Sequence, residues 1–317
     1  MEMVKLIVLL LVGFVLLIKG ADLFVDGSSS IAKILKVPSV IIGLTIVALG
    51  TSAPEAAVSI TAGINGNNEL ALSNVIGSNI FNLLVVIGIS AIIKQFDVNP
   101  DIKKRDLPIS ILITTVLLFM AFTDKKIGQV EGVVLLIIMV IYIAVLIKSA
   151  LKNKTEDEEV KAMSVPKSII FIIIGLAGII IGGDFVVDGA SGIALKLGLS
   201  ELFIGLTIVA IGTSLPELVT SITAAKKGES GLALGNAVGS NILNIVFILG
   251  ASATLTSIKI AASEFATVMI DIIIVIVASM IMQVFCVTRE KVSKFEGITC
   301  VLLYVAYMTY IIVRTVM

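Results

Sequence analysis

The stretches "ALGTSAPEAA" (Ala48–Ala57) and "AIGTSLPELV" (Ala210–Val219) each set a proline and a glutamate in the middle of a long apolar run. Proline removes a helix hydrogen bond, and a charged side chain at mid-membrane costs about 3 kcal/mol. A chain that accepts both, twice, at matching places is built around them.

The rest of the chain shows why the setting is a membrane. It has 317 residues, of which 58% are hydrophobic and 15% charged. Its mean hydropathy is +1.14. Apolar stretches long enough to cross a bilayer recur from end to end. About ten are expected, centred near Leu11, Ala48, Leu83, Val116, Met139, Gly175, Ala210, Val246, Val275 and Val305. Lipid forces backbone groups to pair within a segment, so the class is an all-α polytopic membrane protein. The opening "MEMVKLIVLLLVGFVLL" lacks a small-residue cleavage site and reads as the first span rather than a signal peptide. Cys286 and Cys300 are too few for a disulfide framework and read as small apolar fillers. There is no histidine, which excludes an imidazole relay. No nucleophile–base pair or metal-protease motif suggests an enzyme, no cofactor or nucleic-acid partner is expected, and a monomer is expected.

The chain repeats itself. "GADLFVDGSSSIAKIL" from Gly20 matches "GGDFVVDGASGIALKL" from Gly182, and "LALSNVIGSNIFN" matches "LALGNAVGSNILN". Glu217 follows Glu55 by 162 positions, and Asn244 follows Asn82 by the same 162. The duplication divides the chain into residues 1–150, a polar linker at 151–167, and residues 168–317. Five spans per half is an odd number, so the second repeat is expected upside down relative to the first.

The distribution of basic residues agrees. Placing the linker in the cytoplasm puts sixteen lysines and arginines on that side, including Lys33, Lys94, Lys103, Lys104, Arg105, Lys226, Lys227 and Lys291. Lys19, still within the first apolar run, is left out, and six lie opposite: Lys5, Lys125, Lys126, Lys196, Lys259 and Arg314. The excess marks the cytoplasmic face, so both termini are expected outside and the protein in the plasma membrane.

Two buried carboxylates brought together repel each other, and a bound cation removes both the repulsion and the cost of burial. Pro54 and Pro216 are expected to free the carbonyls of Gly50 and Gly212 and to turn those around Ala48–Thr51 and Ala210–Thr213 toward an ion. Thr51, Ser52, Thr213 and Ser214 add hydroxyls. Asn74, Ser78 and Asn82 lie four apart on one helix face, as do Asn236, Ser240 and Asn244. The set is all oxygen donors and amides, which suits sodium or calcium and not zinc or copper. One calcium or two sodium ions would neutralise the glutamate pair. Asp22, Asp26, Asp184 and Asp188 repeat in "GADLFVDG" and "GGDFVVDG" and read as pins of short interfacial or mobile segments. Asp271 has no repeat partner and is expected near a span end. Gly235 and Gly239 read as a packing pair, and "EDEE" at Glu156–Glu159 as solvated linker.

"GTSAPE…GSNIFN" and "GTSLPE…GSNILN" resemble the two α-repeats of the cation/calcium exchanger superfamily, most closely its prokaryotic sodium/calcium exchangers. The resemblance implies ten helices, an ion-binding core from the second, third, seventh and eighth, and two long first and sixth helices that slide past it. It implies Glu55 and Glu217 as shared carboxylates, backbone oxygens of Ala48, Thr51, Ala210 and Thr213, sodium-binding hydroxyls of Ser52, Ser78, Ser214 and Ser240, and central amides of Asn82 and Asn244. It further implies secondary active antiport of sodium against calcium across the lipid bilayer. Some relatives carry aspartate where this chain has Asn244, including those that co-transport potassium, so asparagine points to potassium independence. Proton/cation antiport and a passive cation channel stay open as alternatives.

Overall fold

The computed structural model describes residues 2–152, 162–198, 208 and 210–316. Among these residues, eight helices are long and apolar enough to cross a membrane. A ninth span arises if Ser39–Thr51 and Ala53–Ile64, bent by 51° at their junction, are taken together. Residues 199–207 and 209 of the span expected around Ala210 lie outside the described residues, as does most of the expected linker, 153–161. The flanking helices, Gln129–Lys152 and Val165–Lys196, run into that linker from both sides.

Burial sorts the helices into core and frame. In the most apolar stretches of Leu70–Ile93 and Ser230–Leu255, 78% and 94% of residues are buried, against 17% in Glu2–Leu35 and Lys294–Arg314. The two interior helices bear the polar stripes. The outer ones present Val, Ile, Leu and Phe outward, as lipid requires.

Helix contact is made by glycine, which lets backbones approach where no water-driven force pulls helices together. The long helices Glu2–Leu35 and Val165–Lys196 pack on each other along their lengths. A Cβ at Gly20 would meet Gly175 O and Ile179 N, both at 2.7 Å. At the centre, a Cβ on Gly239 would stand 2.7 Å from Leu44 Cα, so the Gly235/Gly239 pair packs as the spacing suggested. Cys286 and Cys300 are buried and free.

The all-α expectation needs a small amendment. Four two-residue strands pair antiparallel, Phe96–Asp97 with Lys291–Val292 and Lys126–Ile127 with Ile258–Lys259. They tie the loops at opposite ends of the bundle. Asn82–Val86 and Asn244–Leu249 are π-helical, so Asn82 and Asn244 each open a locally widened turn, a feature common at functional sites. Asp271, in the second turn of Phe265–Arg289, takes Arg314 in a two-pronged ion pair at 3.1 Å for each oxygen.

Candidate cation site

The sequence places each glutamate one turn after a helix break. Ser52 (φ −82°, ψ 8°) interrupts the first broken helix, and Ser214 (φ −96°, ψ 7°) precedes the helix Leu215–Lys227. Pro54 and Pro216 occupy the first turns that follow, where a missing N–H costs nothing. Glu55 and Glu217 share those first turns, at the positive end of the helix dipole. One expected detail is different. The Gly50 carbonyl does not stand free, because an N–H at the break reaches it, and Ser52 N–H reaches Ala48 O at 3.0 Å. A shortened turn takes up the carbonyl that proline abandons.

Both glutamates are fully buried, and each is held by hydroxyls from both halves of the chain. Ser52 Oγ donates to Glu217 Oε1 at 2.9 Å, and Ser214 Oγ lies 3.1 Å from Glu55 Oε1. On the following helices, Ser78 Oγ is 3.5 Å from Glu55 Oε1 and Ser240 Oγ is 3.4 Å from Glu217 Oε1. Ser214 also contacts Ser78 at 3.1 Å. Residues from 136 to 165 apart in sequence thus close one polar cage inside the bundle.

The cage is rich in oxygens that lack donors. Glu55 Oε2, Glu217 Oε2, Thr213 Oγ1, Asn244 Oδ1 and Asn82 Oδ1 are buried without a hydrogen-bond partner among the described residues, as is the donor Asn82 Nδ2. A buried polar atom left unpaired costs about 1–3 kcal/mol, and more when charged. Such a concentration in one place is the signature of atoms meant for something other than protein. Calcium takes six to eight oxygens, and sodium also prefers oxygen donors. Among the described residues no three Asp, Glu, His or Cys side chains gather, so the donors are two carboxylates surrounded by neutral oxygens.

Asn244 Nδ2 donates to Asn79 Oδ1 at 3.0 Å and to Ser78 Oγ at 3.3 Å, whereas Asn82 makes no such bond. Thr51 Oγ1 donates to Asn236 Oδ1 at 3.0 Å and lies 3.5 Å from Ala48 O. Ala48 is fully buried, and Ala210 opens the short helix Ala210–Gly212.

Two residues at the centre were missed in the sequence. Asn79 Nδ2 donates to Asn241 O at 3.1 Å, and Asn241 Nδ2 returns a bond to Asn79 O at 3.0 Å. These reciprocal bonds clamp the two polar helices together. The signal was present in "GSNIFN" and "GSNILN", where the middle asparagine recurs at the same offset. Asn74 and Asn236 support the glutamates from behind, donating to Ser59 Oγ at 2.9 Å and Ser221 Oγ at 3.0 Å.

The repeated aspartates lie on the two long helices rather than on short segments. Asp22 and Asp26 lie within Glu2–Leu35, where Lys227 Nζ approaches them at 3.5 and 2.7 Å. Asp184 and Asp188 lie within Val165–Lys196 and face a cavity of about 580 Å³ that reaches Pro54, Thr213 and Pro216.

Comparison with known proteins gives the setting. The sodium/calcium exchanger protein family matches residues 5–148 and 167–313. A putative antiporter, CaxA, from Alkalimonas amylolytica is 37% identical over 308 residues, covering 95% of this chain and 96% of its own. The sodium/calcium exchanger MaX1 of Methanosarcina acetivorans is 32% identical, covering 95% and 96%. Solved structures of the sodium-calcium exchanger NCX_Mj, soaked with sodium and strontium or with sodium and calcium, superpose with a TM-score of 0.83 at 33% identity over 96% of this chain and 98% of theirs. With its duplicated glutamates, exchanged serine contacts and end-to-end match, the chain belongs to the sodium/calcium exchanger family.

Proposed function

We propose that the protein is a secondary active antiporter that exchanges sodium for calcium by alternating access, with Glu55 and Glu217 carrying each ion set in turn. The observation that carries this reading is the unpaired Oε2 of both fully buried glutamates. Bare, the cage holds two carboxylates in low dielectric, and closing over it is unfavourable. Either one calcium or a pair of sodium ions neutralises it, and that equivalence couples the two fluxes and suppresses leak. Thr51, Ser52, Ser78, Asn82, Thr213, Ser214, Ser240 and Asn244, with the backbone oxygens of Ala48 and Ala210, complete the proposed ligand set.

Ten helices in two inverted five-helix repeats are the architecture this reading needs, over residues 1–150 and 168–317 with 151–167 as a cytoplasmic linker. It is supported by contacts that recur with the halves exchanged. Ser52–Glu217 mirrors Ser214–Glu55, Asn79–Asn241 mirrors itself, and strand 96–97 meets 291–292 as 258–259 meets 126–127. One chain supplies both halves of the cage, so a monomer suffices. The basic excess at the end bearing Lys103, Lys226 and Lys291 supports a cytoplasmic position for that end and extracellular termini in the plasma membrane.

The test is radiocalcium uptake into sodium-loaded proteoliposomes, with sodium, potassium and proton gradients imposed separately. Uptake that requires internal sodium alone supports the proposal. Uptake driven by a pH gradient without sodium replaces it with proton/cation antiport. Flux with no counter-ion requirement replaces it with a channel.

A further inference from the structure

The two acidic pairs, Asp22/Asp26 and Asp184/Asp188, are separated by the repeat offset but live in opposite circumstances. Asp184 and Asp188 border the 580 Å³ cavity that touches both breaks, at Pro54 and at Gly212–Thr213. Asp22 and Asp26 are engaged by Lys227, whose Nζ also donates to Asp22 O at 2.9 Å. The residue that matches Lys227 in the first half is Asn65, which carries no charge. The cavity beside Lys227, about 430 Å³, is lined by Asp26, Ser29, Lys33 and Glu229 among others, and among the described residues by none next to the breaks at Ser52 and Ser214. Deeper in, the same asymmetry recurs. Thr51 is bonded to Asn236, whereas Thr213 Oγ1 has no partner among the described residues and its residue lines the open cavity.

From this we infer that Lys227 is a tethered counter-cation that latches the cytoplasmic mouth shut in the outward-open state. The inference rests on the orientation and alternating access proposed above. Lys227 ends the helix Leu215–Lys227, whose first turn carries Glu217 about 15 Å away. Asp22 and Asp26 ride on the long helix Glu2–Leu35, which meets Val165–Lys196 backbone to backbone at Gly20 and Gly175. The ammonium therefore fastens the ion-binding core to the long helix pair at one end only. Sliding of that pair toward the inward-open state must pull Asp26 off Lys227. At the matching end, with Asn65 in place of a lysine, the described residues supply no such fastener. The side chains of Lys227, Asp22 and Asp26 are 29%, 41% and 48% exposed. An ion pair this wet biases an equilibrium by up to about fivefold, which suits a latch that must open every cycle.

Two reporters read the latch without any ion flux. Ala57→Cys lies on the open cavity, and Val219→Cys is its repeat equivalent on the latched side. Ala57→Cys is labelled with a membrane-impermeant maleimide in right-side-out vesicles and Val219→Cys in inside-out vesicles, all free of sodium and calcium. Lys227→Met is expected to slow labelling at Ala57→Cys and speed it at Val219→Cys, by about fivefold between them. Lys226→Met, its exposed neighbour, should change neither. The charge swap Lys227→Asp with Asp26→Lys should restore the original ratio, and it decides the matter if Lys227→Met folds poorly. Labelling ratios that stay unchanged in Lys227→Met, or a swap no better than Lys227→Asp alone, overturn the latch. Sodium-dependent calcium uptake by the parent protein keeps that failure distinct from a failure of the exchange reading.

Discussion

Ser52 Oγ sits 2.9 Å from Oε1 of Glu217, although Ser52 precedes Glu55 by one helical turn and Glu217 lies 165 residues further along the chain. Each break thus serves the opposite glutamate, and the two carboxylates share one hydroxyl-lined cage.

Replacing either carboxylate by an amide removes one of the two charges a calcium ion needs. In a low-dielectric cage that charge is worth several kcal/mol, and every 1.4 kcal/mol is about tenfold in affinity. Glu55→Gln and Glu217→Gln are each expected to lower sodium-driven calcium uptake by about 100-fold or more, with an unchanged elution volume in detergent. Residual exchange within tenfold of the parent in either variant would remove that glutamate from the site.

Ser52→Ala and Ser214→Ala each strip one hydroxyl from a buried carboxylate of the other half. A hydrogen bond to a charged group contributes about 1.5–3 kcal/mol. The sodium concentration for half-maximal uptake is expected to rise about tenfold or more in both variants, and by similar factors. An effect confined to one of the two would show that the halves do not share the ions evenly.

Helix contact rather than chemistry is tested by the glycines. Gly20→Ala forces a methyl group to within 2.7 Å of Gly175 O and Ile179 N. Overpacking of this kind costs about 1–3 kcal/mol. Gly183 lies on the same long helix as Gly175, yet a Cβ there meets nothing within 4 Å. Thermal unfolding in detergent should therefore fall for Gly20→Ala and stay put for Gly183→Ala.

Asp271→Asn leaves Arg314 without its two-pronged partner, whose side chain is only 13% exposed. Breaking a mostly buried pair from one side costs up to about 3–5 kcal/mol, less here because Arg314 keeps some solvent and Tyr310. The melting temperature is expected to drop while the sodium dependence of exchange in the surviving protein is unchanged.

The duplicated motif made the halves, the polar helices and the paired glutamates legible, because repetition at one offset is a property of sequence. What stayed hidden was contact between the halves. Nothing in "GSNIFN" says that Asn79 will reach the carbonyl of Asn241, since side-chain amides bond whatever the fold brings near. The fate of Gly50 was hidden for a related reason. Proline predicts a lost N–H, but the shortened turn that takes up the carbonyl is a local rearrangement. Asp22 and Asp26 looked like their repeat mates Asp184 and Asp188. Only packing places Lys227, a residue without a charged counterpart, against one pair and not the other.

The most direct test of the shared cage is anomalous diffraction from crystals soaked in calcium at low sodium and then at high sodium. One calcium peak is expected at about 2.3–2.6 Å from carboxylate oxygens of both Glu55 and Glu217, erased as sodium rises. A calcium ion bound to one glutamate alone, or a peak indifferent to sodium, would contradict it.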